Sequence, residues 1–286
     1  MTTAPAQLGD APHVAIIGAG VIGTAIVTAL RVAGWPEDRI TVSTRSEERA
    51  ASVRESHGVA VEQDSAAVVK DASVVVLAVK PQDMAATVQP LADVLAQRKP
   101  LVISIAAGIR VADIVSWCGG ATAVVRAMPN RPALNSAGAT AIYSPAGVSD
   151  AHRDLAAQIL GAVGITVWVQ EEDALNVVTA LSGSGPAYFF LLAELMADAA
   201  VNLGLDRASA QELAIQTLFG SGLMARDSDG DLARLRAEVT SKGGTTDAAV
   251  RAFEGANLRG IVAAALAAAS DRGREMAQAF GNATKS

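Results

Sequence analysis

"HVAIIGAGVIGTAIVTALRVAG", residues 13–34, decides the fold. It opens with a short apolar run, His13 to Ile17, of strand character. Gly18-Ala19-Gly20-Val21-Ile22-Gly23 follows, and a helical apolar pattern then continues to Gly34. G-x-G-x-x-G alone is weakly diagnostic, because glycines also mark ordinary tight turns. Here it leaves a strand and opens a helix. In that setting the glycines let the backbone approach a pyrophosphate, whose charge the helix N-terminus stabilises. The segment predicts a dinucleotide site.

Working outward, residues 39–45 (RITVSTR) read as strand, 46–56 as helix, 58–62 as a short strand and 71–81 as a buried strand. Residues 100–108 and 122–130 add two apolar strands with a helix between them. Strands alternating with helices imply a parallel, doubly wound sheet. Ligands of such sheets lie beyond the carboxyl ends of the strands. "AVKP" (Ala78, Val79, Lys80, Pro81) and "SIAAG" (Ser104 to Gly108) stand at two such ends, where small residues leave room for a nicotinamide ring. At the end of the second strand an NAD enzyme usually places Asp or Glu for the ribose 2′-hydroxyl. This chain has Ser43-Thr44-Arg45-Ser46 instead. Arg45 suits a 2′-phosphate, so NADPH is expected over NADH.

After residues 165–170 (ITVWVQ) the strand patterns stop. Helices are expected over 171–203, 206–226, about 230–238, 246–254 and 257–278. The first is broken by Ser182-Gly183-Ser184-Gly185-Pro186, residue types that weaken or kink a helix. Glu171-Glu172-Asp173 sits where that helix begins and is expected to complement its dipole rather than to catalyse. The small side chains of "IVAAALAAAS" allow close helix packing, and a helical half this apolar predicts a subunit interface. In "VTSKGGTTDAAVRAFE", residues 239–254, Ser241, Gly243, Gly244, Thr245 and Thr246 form a loop feeding a helix. Backbone N–H groups and hydroxyls there make an anion site, better suited to a carboxylate than to a second phosphate. The structural alternative is an N-cap by Thr245 or Thr246. Between residues 151 and 286 the only His is His152 and the only Lys are Lys242 and Lys285. Oxidising an alcohol needs a general base, whereas a protonated imine brings its own positive charge to a hydride. The shortage of bases favours an imine substrate, although the first half could also supply one.

The bulk numbers agree with a globular enzyme. Of 286 residues, 51% are hydrophobic and 18% charged, which excludes disorder. A net charge of −6 argues against a nucleic-acid or anionic-membrane surface. The lone Cys118 precludes an intrachain disulfide and fits a reducing compartment. "MTTAPAQLGDAPH" lacks the basic and apolar regions of a signal peptide, and no uninterrupted apolar run approaches the roughly 20 residues of a membrane span. A soluble cytoplasmic protein without a metal site is expected.

"IIGAGVIG", "AVKPQ", "SIAAGI", "VRAMPNRPALNSAGATAIY", "ALSGSGPAYFF" and "VTSKGGTT…F…GANLRG", in this order over almost the whole chain, resemble the Δ1-pyrroline-5-carboxylate reductase family. The conjunction of "MPN", "SGSGPAY" and "SxGGTT" is the specific part. The resemblance implies an α/β protein: an N-terminal Rossmann-type doubly wound parallel sheet, residues 1–170, then an all-helical substrate-binding and dimerisation domain, residues 171–286. It implies hydride transfer from NADPH, with NADH as the alternative, to the ring C=N of pyrroline-5-carboxylate, giving L-proline. It implies a homodimer assembled into a larger ring.

Residue by residue, Ile17, Gly18, Ala19, Gly20, Val21 and Ile22 would hold the pyrophosphate. Thr44 and Arg45 would meet the adenosine end. Ala78, Val79, Lys80, Pro81, Ala106, Ala107 and Gly108 would cradle the nicotinamide side, with Met128 and Asn130 also at the cofactor. Ser241, Gly243, Gly244, Thr245, Thr246 and Ser184 would bind substrate. Ser241 and Thr246 would be the catalytic pair, the Thr246 hydroxyl touching the ring nitrogen. The SGSGP break would turn freed backbone and hydroxyl groups toward the substrate. Two residues depart from the family pattern: Lys242 stands where many relatives have Pro, and Ser65 where an Asn near the cofactor ribose is expected. A β-hydroxyacid dehydrogenase would carry a catalytic Lys on the long interdomain helix, and residues 171–203 contain none. "SGSGPAY" with "SKGGTT" also argues against an imine reductase or a deazaflavin-linked NADP reductase. The non-enzymatic alternative is an NADPH-sensing scaffold.

Overall fold

The computed structural model describes residues 11–120 and 122–283, so the readings of the leader at residues 1–10 and of Lys285 lie outside the described residues. Eight strands form one sheet: β1 Val14–Ile17, β2 Ile40–Ser43, β3 Ala60–Glu62, β4 Val74–Leu77, β5 Leu101–Ser104, β6 Val124–Met128, β7 Gly138–Tyr143 and β8 Gly164–Val169. Their order is β3-β2-β1-β4-β5-β6-β7-β8. Ile17 pairs with both Ser43 and Leu77, and Leu77 with Ser104, so the carboxyl ends of β1, β2, β4 and β5 finish level.

The central strands are buried on both faces, which is why they read as unbroken apolar runs. Alternate residues enter opposite layers. Val14, Ile16, Val74 and Val76 pack with Ile26, Leu30 and Leu160, whereas Ala15, Ile17, Val75 and Leu77 pack with Leu91, Leu95 and Ile114. The covering helices are α1 Val21–Val32, α2 Glu47–His57, α3 Ser65–Val69, α4 Met84–Val88, α5 Ala92–Arg98, α6 Val111–Trp117, α7 Asp150–Gly161 and α8 Ala174–Val178. Beyond them lie α9 Gly185–Asn202, α10 Arg207–Arg226, α11 Leu232–Glu238, α12 Thr245–Gly255 and α13 Leu258–Ala283. Residues up to Gly183, with those from Ala269 onward, form one unit, and Ser184–Ala268 form the other.

Two expectations need correction. The sheet is not wholly parallel: β7, not foreseen in the sequence, runs antiparallel to β6. The link between them is only a 3-10 turn, Arg131–Asn135, closed by Ser136 at φ 53. So short a connection doubles the chain back, because a parallel return needs a crossover. The last helix also outruns its expected end at residue 278 by more than a turn, reaching Ala283.

The interruption expected at SGSGP takes the form of a π turn, Thr179–Gly183, and the helical run Ala174–Asn202 continues through it. At 29 residues and mean hydropathy 1.3 this run, though interrupted by polar and acidic residues, is long and apolar enough by length and composition to cross a membrane.

The acidic cluster stands where α8 begins, as expected, with Asp173 at its N-cap position. No side-chain capping bond forms there, and two of its acids bind elsewhere. Glu172 Oε1 accepts hydrogen bonds from Arg126 Nη1 (3.0 Å) and from the Val111 N–H (2.8 Å), and Asp173 pairs with Arg110 at 2.7 Å. Arg126 is buried on β6. Desolvation pulls its guanidinium pKa down, and the Glu172 carboxylate opposes that pull. Glu172 thus ties the segment after β8 to β6 and to the first residue of α6.

Glu172→Ala strands the Arg126 charge in the interior and should cost about 3 kcal/mol, measured as a lowered urea midpoint. A loss below about 1 kcal/mol would mean that water reaches the guanidinium.

Candidate active site

The turn from β1 to α1 is shaped by what a side chain would strike. Gly18 has φ +111, and its N–H donates to the Ser43 carbonyl at 2.8 Å. A Cβ on residue 18 would lie 2.7 Å from the Ala78 carbonyl oxygen. One on residue 23 would drive into the Gly18 carbonyl oxygen and sit 3.1 Å from Ala78 Cβ. Gly20 differs: a Cβ there would meet only Ala78 O, at 3.8 Å. Gly20 is the N-cap of α1, no side chain caps that helix and no acid occupies its first turn. Uncapped N–H groups therefore stand at the positive end of a helix with no side chain on Gly20 to cover them, which fits a phosphate-bearing dinucleotide.

The other residues expected at the cofactor collect along the same edge of the sheet. Thr44 is buried and donates its N–H to the Glu62 carbonyl at 3.1 Å. The Arg45 side chain is 89% exposed, 4.0 Å from Asp83. Ser65 is drawn into the end of β2, its Oγ 2.7 Å from Ser43 Oγ. Ala78 N–H donates to Ile17 O at 2.8 Å and Ile105 N–H to Leu77 O at 3.2 Å, stitching the loops after β4 and β5 to their neighbours. Pro81 opens a 3-10 turn after Lys80. Ala106 and Gly108 are buried, and Gly108 has φ +77. Ile17 to Ile22, Thr44, Arg45, Ala78 to Pro81, Ala106 to Gly108 and Met128 are thus brought to the carboxyl ends of β1, β2, β4, β5 and β6, with Asn130 just beyond.

Asn130 has a second task that the sequence did not signal. Its Nδ2 donates to the Ser182 carbonyl at 3.0 Å and its Oδ1 accepts from Ala139 N–H at 2.8 Å, leaving one N–H of the carboxamide for a ligand. The π turn supplies this acceptor, since the wider turn releases a carbonyl from the regular ladder. The hydroxyls of the turn face inward. Thr179 Oγ1 donates to Leu175 O at 2.7 Å and Ser182 Oγ to Val178 O at 3.1 Å. So the break frees a carbonyl and Asn130 takes it, while the Ser182 hydroxyl donates to its own helix. A Cβ on Gly183 would lie 2.9 Å from Met128 Cε, so this glycine admits the methionine.

In the helical unit, Ser241, Gly243, Gly244, Thr245 and Thr246 fall in one turn at the start of α12. Gly244 N–H donates to Ser241 O at 3.0 Å, and Gly243, at φ +76, donates its N–H to Asp247 Oδ2 at 2.8 Å. The N-cap is Gly244, and no side chain caps α12. Neither threonine plays the capping role that was the structural alternative. Arg251 and the Gly243 N–H together hold the Asp247 carboxyl below the usual carboxylate range. Lys242 is exposed within this loop, and Ser184 stands in a separate turn, at the N-cap of α9.

Residues 172–276 match the family model for pyrroline-5-carboxylate reductase dimerisation, and residues 13–108 match that of the coenzyme F420-dependent NADP oxidoreductases. The pyrroline-5-carboxylate reductase of Pseudomonas aeruginosa is 44% identical over 94% of this chain and 98% of its own. A pyrroline-5-carboxylate reductase structure from Coxiella burnetii is 40% identical, with a TM-score of 0.90 over 93% of this chain and 99% of that one. The Plasmodium falciparum pyrroline carboxylate reductase, solved with NADP bound, shares the fold at 24% identity and a TM-score of 0.80, covering 94% and 99% of the two chains.

Gly23→Ala should cost about 2 kcal/mol through overpacking against Gly18 and Ala78 and abolish nucleotide binding, read from the denaturant midpoint and from NADPH titration. Unaltered nucleotide affinity would show that the β1–α1 turn can relax without losing its shape.

Proposed function

Since the chain belongs to the pyrroline-5-carboxylate reductase family, we propose that it reduces L-Δ1-pyrroline-5-carboxylate to L-proline, the final step of proline biosynthesis. The observation that carries this reading is that one chain holds two helix starts, α1 and α12, each N-capped by a glycine with no side-chain cap. One suits a pyrophosphate and the other a carboxylate, the two anions that this reaction brings together. Bound NAD(P)H supplies the hydride. The chain's own residues bind and orient. Ile17 to Ile22 hold the pyrophosphate, and Arg45 meets a ribose 2′-phosphate and so favours NADPH. Ala78 to Pro81, Ala106 to Gly108, Met128 and Asn130 border the nicotinamide. Amide and hydroxyl groups of Ser241, Gly243, Gly244, Thr245 and Thr246, with Ser184, bind the substrate. Thr246, assisted by Ser241, keeps its hydroxyl in hydrogen-bond contact with the ring nitrogen, which ends the reaction protonated as its neighbouring carbon takes the hydride.

Residues 1–170 then form the cofactor half and 171–286 the substrate and assembly half. Phe189, Phe190, Leu213, Ile215 and Phe219 are all more than half exposed in the single chain. A surface this apolar belongs in a subunit interface. We assign it to a homodimer built into a larger ring. The run Ala174–Asn202 serves that interface rather than a membrane, and it carries Glu194 and Asp198 along its length. A cytoplasmic location suits Cys118, whose thiol burial pushes up to about 12, far from the reactive thiolate.

Mixing the protein with pyrroline-5-carboxylate and either cofactor, and following absorbance at the nicotinamide band, tests the reading. Cofactor consumption is expected, faster with NADPH. Binding without consumption would indicate a sensing scaffold. Thr246→Ala should lower kcat/KM by about 1 to 3 kcal/mol, the scale of one charge-assisted hydrogen bond, and unchanged kinetics would remove Thr246 from the mechanism. Arg45→Glu should erase or reverse the cofactor preference. Equal kcat/KM with NADPH and NADH in the unmutated protein would dispose of Arg45's role.

A further inference from the structure

The tail of α13 leaves the helical unit and packs along the sheet unit. Ser270, Gly273, Ala277 and Phe280 recur at helical spacing, and with Ala269 they are the described residues of the tail that lose exposure. Ser270 is buried, and Gly273 lies over α8, where a Cβ would meet Asn176 Oδ1 at 3.6 Å. One turn further on, the helix arrives at Gly108. A Cβ on Gly108 would lie 3.3 Å from Phe280 Cδ2 and 3.6 Å from Ala277 Cα. Phe280 also packs on the core layer that contains Ala106, Ile109 and Val111. Gly108 is therefore constrained twice. Its backbone is left-handed, at φ +77, and an aromatic ring closes the space where a side chain would be. The dimerisation match stops at residue 276, so Ala277 and Phe280 lie outside it.

We infer that Phe280 is a positioning residue for cofactor binding: its ring braces the Ala106–Gly108 loop from behind and holds it in the shape that meets the nicotinamide. This rests on the reading of that loop as the nicotinamide side of the site. Of the loop's other ties, Ala106 N–H donates to Ser104 Oγ at 3.4 Å, and the buried Ile109 anchors the chain just after Gly108. Ala106 and Ala107 are small, and the backbone tie of Ile105 N–H to Leu77 O precedes the left-handed residue by three positions. Removing the ring leaves Gly108, the residue type with the widest backbone freedom, facing a void. The adenosine half of the site, at the ends of β1 and β2, does not touch this brace.

The test is binding to the full chain of two probes, NADPH and 2′,5′-ADP, which carries the adenosine end without the nicotinamide. Phe280→Ala should raise the Kd for NADPH about three- to tenfold while leaving that for 2′,5′-ADP within twofold, and Phe280→Leu should restore most of the NADPH affinity. Equal weakening of both probes would mean that Phe280 only stabilises the domain, and no weakening of either would mean that the loop holds its shape unaided. Both results overturn the inference. Ala107→Val separates the inference from its premise. Unchanged NADPH affinity in that variant removes the loop from the nicotinamide site and the inference with it. Weakened affinity there, beside unaltered binding by Phe280→Ala, refutes the brace alone.

Discussion

The sheet unit depends on how closely α1 can approach the ends of β1 and β4. Gly23 rests on the Gly18 carbonyl, Gly18 lies under the Ala78 carbonyl, and the Gly18 N–H closes on Ser43. Three strand ends are thereby joined through one turn with no side chain between them. A methyl group at either glycine would push the helix outward and take the uncapped N–H groups away from the strand ends that complete a dinucleotide site. The buried, two-faced strands supply the stability, and the glycines spend part of it on proximity.

What surrounds that turn is held from a distance. Residues late in the chain reach back to fix segments read much earlier: Glu172 to Arg126 and Val111, Ser182 to Asn130, Phe280 to Gly108. These contacts land on β6, on the first residue of α6 and on the loops just beyond the ends of β5 and β6. Loops at such ends have few apolar anchors of their own and would otherwise sample several shapes. The π turn belongs to the same scheme. Regular α-helix would have kept the Ser182 carbonyl for itself, and Asn130 would have been left half satisfied in a buried place.

The parts legible in the sequence are those whose physics is local. Gly18 to Gly23, the apolar strand runs and the Gly243-Gly244 turn each announce themselves within a few residues, because backbone sterics and periodicity act at that range. Elements that depend on distant partners were hidden. The direction of β7 is hidden in "GATAIY", because it follows from the partners on either side, antiparallel to β6 and parallel to β8. Glu172 reads locally as a helix-start acid, and nothing nearby reveals an arginine 46 residues away. The extra turn of α13 follows from packing at Phe280 rather than from propensity. Of the candidate site, the glycine turns that open α1 and α12 could be read in advance, whereas the carboxamide bracket at Asn130 and the hydroxyl-to-carbonyl bonds of the π turn required the three-dimensional arrangement.

The electrostatics of the helical unit bear on the kind of chemistry it can support. Its shifted acids, Asp206, Asp229, Asp247 and Glu254, all move downward, Asp206 held by the Ser209 hydroxyl and N–H and the others by arginines and backbone N–H groups, and Arg251 and Arg259 move upward. Every one of these shifts is away from neutrality, so none prepares a proton acceptor for neutral pH. Abstraction of a proton from an alcohol would need such an acceptor. Hydride addition to an iminium does not, because the substrate carries the charge that the reaction consumes. The unit instead offers fixed dipoles: an uncapped helix start and hydroxyls at the first two helical positions. Dipoles held in place by backbone geometry orient a carboxylate without exchanging protons with it, and they do so at constant strength across the pH range in which an imine remains protonated.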